Sequence, residues 1–333
     1  MSGIVLRSAS AARGSGLRRV DVGIGRRRSS IPLMPTIADL AQRFAIAGSV
    51  SITAGHGGLP CIGIANRYAT AQVYLLGAHV AHFQPDGQPP VLWMSANSLF
   101  VPGKPIRGGV PVCWPWFGAH PGDGSLPIHG FVRTREWALV EAATLHDGRT
   151  RVVLTLSGDA APPMWPHAFA LRYSITVGPT LELDLRVDNP GDQPFRFSEA
   201  LHSYFDVQDV HRVRIAGLAG LTYLDKVGPP QQRSETGEIE ITAETDRVYS
   251  GTTAICTLVD PLRRRRIVIA KQGSQTTVVW NPWIAKAKAM PDFADDEWQN
   301  MVCIETANAL DHAITLPPGC SHHLVARISV EQE

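Results

Sequence analysis

The chain has 333 residues, 44% hydrophobic and 18% charged, enough apolar material for one large domain or two small ones. Its 30 glycines and 25 prolines are about one residue in six, above a usual combined level of ~12%, and point to many turns between short elements, as in a β-protein. With 31 basic and 30 acidic residues the formal net charge is +1, so no broad field invites nucleic acid or an anionic membrane surface. No apolar run is long enough for a transmembrane helix. Cys61, Cys113, Cys256, Cys303 and Cys320 form no Cys-x-x-Cys pair and read as buried thiols of a reducing compartment. A cytoplasmic monomer with no metal and no cofactor is expected.

Residues 1–33 stand apart, with seven arginines, no lysine, and Asp21 as the one acid. Such a composition is that of an organellar transit peptide, but no amphipathic stripe accompanies it. The plainer reading is preferred: a disordered extension, or a start assigned too early with Met34 as the true first residue, in front of a single domain over 34–333. Thr36 and Asp39 then resemble a helix-capping pair, and Ile37, Leu40 and Phe44 share a face, which predicts a short helix. No other segment carries a clear helix signal.

From about residue 50 the apolar period is two. Phe169, Leu171, Tyr173, Ile175 and Val177 alternate with their neighbours, as do Leu181, Leu183, Leu185 and Val187, with Pro179 between the runs. This predicts an antiparallel hairpin with one buried face. Further strands are predicted at 71–76, 151–156, 212–216, 238–242, 266–270, 276–280 and 323–330. Short strands along nearly the whole chain, with no internal repeat, predict an all-β fold: a large antiparallel β-sandwich with few short helices. The run Arg263 to Arg266 reads as a solvated hairpin entry, and the acids Asp292, Asp295, Asp296 and Glu297 as a solvated loop.

The glycine-rich dinucleotide fingerprint, the phosphate loop, His-Glu-x-x-His and Gly-x-Ser-x-Gly are all missing, which removes the usual support for dehydrogenase, nucleotide hydrolase, zinc protease and serine hydrolase. The close pairs His79/His82 and His322/His323 would point to opposite faces of a strand, so neither is expected to share a metal ion.

Three segments concentrate polar and aromatic residues. The first runs from Lys104-Pro105-Ile106-Arg107-Gly108-Gly109-Val110-Pro111 through Trp114, Trp116 and Phe117 to His129-Gly130-Phe131-Val132-Arg133. Arg107 and Arg133 beside glycines suit a bidentate grip on an anion, and equally suit backbone carbonyls in long loops. The aromatics suit a sugar platform or a core beneath a loop. The second segment is Ser198-Glu199-Ala200-Leu201-His202-Ser203-Tyr204-Phe205. The third is Trp280-Asn281-Pro282-Trp283, leading to Cys303-Ile304-Glu305. Glu305 ends an apolar run that should be a buried strand, so its carboxyl must be paired, hydrogen-bonded or functional.

These segments together resemble the D-hexose-6-phosphate mutarotases, or glucose-6-phosphate 1-epimerases, of the aldose 1-epimerase superfamily, over roughly residues 50–330. The resemblance implies a galactose-mutarotase-like supersandwich. It places His202 and Glu305 at the catalytic positions, Arg107 and Arg133 at the substrate-binding arginines, and Asp225, in Leu221-Thr222-Tyr223-Leu224-Asp225, at the binding aspartate. His129 and Trp280, inside the shared motifs, are assigned to substrate binding. One type of family member carries Gln before the His-Gly step, where this chain has Ile128.

The activity implied is interconversion of the α and β anomers of a hexose 6-phosphate, glucose 6-phosphate foremost. Glu305 would be the base on O1 and protonated His202 the acid on the ring oxygen, with roles reversed on closure. The expected partner is therefore a small sugar phosphate. Other readings stay open at this point: a non-catalytic carbohydrate-binding module, an aldose 1-epimerase of unphosphorylated sugar, or a glycosidase drawing two carboxylates from Glu305, Asp292, Asp295 or Asp296.

Overall fold

The period-two alternation becomes strand at Phe169–Val177 and Thr180–Asp188, paired antiparallel from Ala170↔Asp188 to Val177↔Leu181. The computed structural model describes residues 35–159 and 164–332, so the expectations for residues 1–33 lie outside the described residues. The hairpin sits inside an eight-stranded antiparallel sheet whose other central strand is Ser321–Gln332. A second eight-stranded sheet, here the site sheet, is built around Thr245–Ser250, Thr276–Asn281 and Met301–Asn308. A four-stranded meander, Val50–Ala54 to His79–Pro85, precedes both. The fold is thus the expected antiparallel β-sandwich. Inward residues of the two large sheets, such as Tyr173, Leu183 and Leu324 on one and Leu201, Tyr249 and Val279 on the other, join one buried apolar cluster.

The site sheet is covered on its outer face too. Cys113, Ala200, Val248, Val278 and Ala307 form a separate buried cluster there, joined by Phe117 from the loop above. Every residue of Met301–Asn308 is therefore buried, which is why Met301–Ile304 reads as a continuous apolar run rather than an alternating one. The covering loops need glycine at two places. Gly109 (φ 57°) and Gly130 (φ 73°) lie in the left-handed region, and a Cβ there would collide with the carbonyl oxygens of Val80 and Trp114 respectively.

The predicted helix is Ile37–Phe44, with a complete Thr36/Asp39 capping box and Leu40 and Phe44 buried. A second short helix, Trp283–Ala289, follows Pro282 but buries only Ala287, so no apolar stripe announces it. Three expectations need correction. Segment 238–242 makes a single bridge, Ile239↔Ile215, instead of a strand. In the run Arg263 to Arg266 the hairpin entry is real, yet Arg265 is fully buried, donating to the carbonyls of Pro89, Pro90 and Asp206, and Arg263 grips the Asp206 carboxylate. Cys320 is exposed, whereas the other four thiols are buried. No helix among the described residues is long and apolar enough to cross a membrane.

Behind the site sheet, fully buried Glu199 accepts from Asn308 Nδ2 at 2.9 Å and lies 2.8 Å from His322 Nε2. Burial by itself would lower His322; the hydrogen bond and charge of Glu199 outweigh it and raise the imidazole. A histidine raised on folding stabilises below its unfolded pKa of ~6.5, and that contribution is lost as pH climbs through the folded value. Urea unfolding of wild type and His322→Gln is therefore expected to show a stability gap that is wide at about pH 5.5 and narrower at about pH 9. A gap that widens with pH would contradict the pairing.

Candidate active site

More than a hundred residues separate His202 from Glu305, and strand register brings them together. Glu199–Leu201 and Tyr204–Asp206 both pair with Met301–Asn308, through Leu201↔Thr306 and Tyr204↔Cys303. Counting inward from those two pairs puts His202 opposite Glu305 and Ser203 opposite Ile304. The strand breaks at this point: His202 N–H turns to the Pro111 carbonyl at 3.0 Å, and the imidazole leans over the sheet's outer face. His202 Nε2 ends 3.4 Å from Glu305 Oε1. The residues are 7% and 2% exposed, and neither His202 Nδ1 nor Glu305 Oε2 has a hydrogen-bond partner among the described residues.

Burial, with the Asp246 carboxylate second and Lys226 opposing, pushes Glu305 well above the usual carboxylate range. Burial, followed by the positive charges of Arg133 and Arg107, pushes His202 well below an ordinary histidine. Both directions favour the uncharged forms, a carboxylic acid beside a neutral imidazole, over the ion pair. The uncharged pair carries the same number of protons as the expected carboxylate beside an imidazolium; one proton sits on the other partner.

The pair forms the floor of a cavity of about 350 Å³, within the range of small-molecule sites. Arg107, Arg133, Lys226 and Lys286 line it. Three of the four carry an acid partner: Arg107 makes a two-bond fork with Asp292 (3.2 and 3.1 Å), Lys226 lies 3.6 Å from Asp246, and Lys286 lies 3.0 Å from Glu244. Arg133 has none among the described residues; its Nη2 donates to the Ile128 carbonyl at 2.6 Å and its buried Nε has no partner. Among the described residues the cavity thus holds one cation without an acid partner. The expectation of a solvated acidic loop holds for Asp295 and Asp296, which are exposed, but not for Asp292, buried against Arg107, or for Glu297, which takes the Ser95 hydroxyl at 2.8 Å and the Ala96 N–H at 2.9 Å.

His129 lines the cavity with φ 65°, its Nδ1 accepting the Gly118 N–H at 3.1 Å, and its ring meets His202 edge-on at 5.5 Å. Trp280 also lines it, edge-on to His202 at 6.1 Å. Trp114 and Trp116 are buried core residues, and of the three loop aromatics Phe117 reaches the cavity. Ile128 lines the mouth with an exposed side chain. Asp225 is not brought to the site. It pairs with Arg247 across the sheet, and its carboxylate accepts the Val227 N–H and faces Arg233. One residue along a strand reverses the face, so Lys226 and Asp246 occupy the cavity side. Thr245–Ser250 carries no pattern that would have marked Asp246 in the sequence. Among the described residues no three His, Cys, Asp or Glu side chains gather as metal ligands.

A buried acid and imidazole under a cation-lined cavity, on an antiparallel sandwich, have the geometry that acid–base chemistry on a small polar molecule requires. The chain belongs to the aldose 1-epimerase family, whose model matches residues 60–329, as the shared motifs imply. It is 38% identical over 240 residues to an Escherichia coli K12 protein named "Putative glucose-6-phosphate 1-epimerase", covering 72% of this chain and 80% of that one. A protein of the same name from Cenchrus ciliaris is 35% identical over 263 residues, covering 76% and 79%. The crystal structure of a "putative mutarotase" from Salmonella typhimurium matches with a TM-score of 0.80 at 32% identity, over 87% of this chain and 96% of that one.

The two aspartates are separable by experiment. Asp246→Ala is expected to lower kcat/KM at least about tenfold, because it removes both a cavity-lining acid and the partner of Lys226. Asp225→Ala is expected to change kcat/KM less than about twofold, since its carboxylate faces away. The reverse order of effects would contradict the register described above.

Proposed function

We propose that this protein interconverts the α and β anomers of a hexose 6-phosphate, glucose 6-phosphate foremost, by acid–base opening and closing of the sugar ring. The observation that carries the reading is the buried His202–Glu305 pair, 3.4 Å apart, in a cavity where Arg133 has no acid partner among the described residues. The names of the two relatives support the same substrate. A non-catalytic carbohydrate module needs no imidazole facing its carboxyl.

Arg107 has five N–H donors; Asp292 takes two and the Tyr204 hydroxyl takes one. One N–H remains on each terminal nitrogen, and with Arg133 these suit phosphate oxygens. A phosphate dianion there cancels the guanidinium charges that, after burial, hold His202 down, so the proton of the pair passes from Glu305 to His202. Glu305 then takes the proton of O1 while His202 gives its proton to the ring oxygen. The bond from C1 to the ring oxygen breaks and the C1–O1 carbonyl forms. After rotation about C1–C2 the ring hydroxyl attacks the other carbonyl face, returning its proton to His202 as Glu305 returns its own to O1. The protein ends as it began, with no redox change and no group transferred.

Glu305→Gln and His202→Asn are each expected to lower the exchange rate by a factor on the order of 10²–10⁴ while sugar binding persists. Saturation-transfer NMR on the anomeric protons measures this directly. Near wild-type exchange in both variants would favour the binding-module reading instead.

For the arginines the observable is the ratio of efficiencies on glucose 6-phosphate and glucose. Arg133→Ala and Arg107→Ala are expected to lower that ratio by roughly ten- to a hundredfold, the worth of one charge-assisted contact. An equal fall on both sugars would mean that they hold loops or sugar hydroxyls, not phosphate.

A further inference from the structure

Most catalytic imidazoles are aimed by a hydrogen bond on the nitrogen that does not react. His202 lacks one: its Nδ1 is buried without a partner among the described residues. Its plane is set by a stacked ring. Tyr204 lies 4.8 Å from His202, centroid to centroid, with 10° between the planes, and Trp93 stacks on Tyr204 at 5.6 Å. Trp280 meets both His202 and Tyr204 edge-on. Tyr204 is itself buried, 2% exposed, with its N–H on the Gly109 carbonyl at 2.9 Å and its carbonyl accepting the Trp93 N–H at 3.0 Å. Its hydroxyl takes Arg107 Nη1 at 3.1 Å, while Asp292 grips the other edge of the same guanidinium.

We infer that Tyr204 is a positioning residue that ties recognition of the anionic group to the acid–base pair, its hydroxyl aiming Arg107 and its ring fixing the plane of His202. The inference rests on the sugar-phosphate reading above. One rigid phenol then sets the distance between the place where phosphate is held and the place where the ring opens. A substrate anchored at Arg107 presents its anomeric end to an imidazole already oriented. The two halves of the side chain do separate work and can be removed separately.

The test compares wild type, Tyr204→Phe and Tyr204→Met in saturation-transfer NMR of glucose 6-phosphate and glucose, with calorimetric binding of inorganic phosphate alongside. Tyr204→Phe keeps the ring and removes one of the three hydrogen bonds that aim Arg107, leaving the two to Asp292. Its ratio of efficiencies on the two sugars is expected to fall about tenfold, mainly through KM, and inorganic phosphate is expected to bind more weakly by a similar factor. Tyr204→Met loses the ring as well. It is expected to show the same fall in ratio and, in addition, a kcat on both sugars lower than that of Tyr204→Phe by about tenfold or more. Tyr204→Leu replaces it should the methionine variant fail to melt cooperatively. A Tyr204→Phe variant with the wild-type ratio and phosphate affinity overturns the role of the hydroxyl. Equal kcat in the phenylalanine and methionine variants overturns the role of the ring. A wild type that binds no phosphate and does not distinguish the two sugars overturns the sugar-phosphate reading itself, and the coupling with it.

Discussion

Glu305 is a carboxyl placed on a strand buried on both faces, with the His202 imidazole across from it and, among the described residues, no Lys or Arg in direct contact. An ionised carboxylate in such a place costs several kcal/mol, so burial keeps the group protonated unless something supplies compensating charge. The rest of the site follows from that constraint. The sheet supplies the rigid opposition of His202 and Glu305, because both flanking strands are locked into register against Met301–Asn308. The loops from Arg107 to Arg133 cover the outer face of the sheet and supply two of the cations that, after burial, hold His202 down.

The charge of the cavity is arranged locally, which is how a chain of net charge +1 can present an anion site. Three cations are spoken for by Asp292, Asp246 and Glu244, and among the described residues Arg133 is left without an acid partner. Neutralising most of the cations limits the mutual repulsion that four positive groups around one small cavity would otherwise impose. It also makes the site responsive to a ligand: the guanidinium charges that depress His202 are the ones a phosphate would cancel. Binding and proton placement are then two readings of one electrostatic balance.

Much of the fold could be read from the chain. The hairpin of Phe169–Val177 and Thr180–Asp188 and the capped helix Ile37–Phe44 are local patterns, and period and capping are local physics. Glu305 was visible as a carboxyl in an apolar run. Its meeting with His202 is implied by the family resemblance but by no local pattern, because it depends on counting register across two strands from a distant part of the chain. Asp225 and Asp246 show the limit most sharply, since a one-residue step decides which face a strand residue takes and nothing in either segment marks the face. Arg265 and Asp292 looked solvated for the same reason: their partners, Asp206 and Arg107, lie 59 and 185 positions away.

The location of the proton is the point on which the chemistry turns, and carbon-13 NMR of the Glu305 carboxyl, with the His202 ring signals as a companion, observes it directly. In the free protein at about neutral pH the carboxyl is expected to give the chemical shift of a protonated acid and His202 that of a neutral imidazole. Saturation with glucose 6-phosphate is expected to move Glu305 toward the ionised shift and His202 toward the imidazolium. A Glu305 that is already ionised in the free protein, titrating near the ordinary value of about 4.3, would contradict the account.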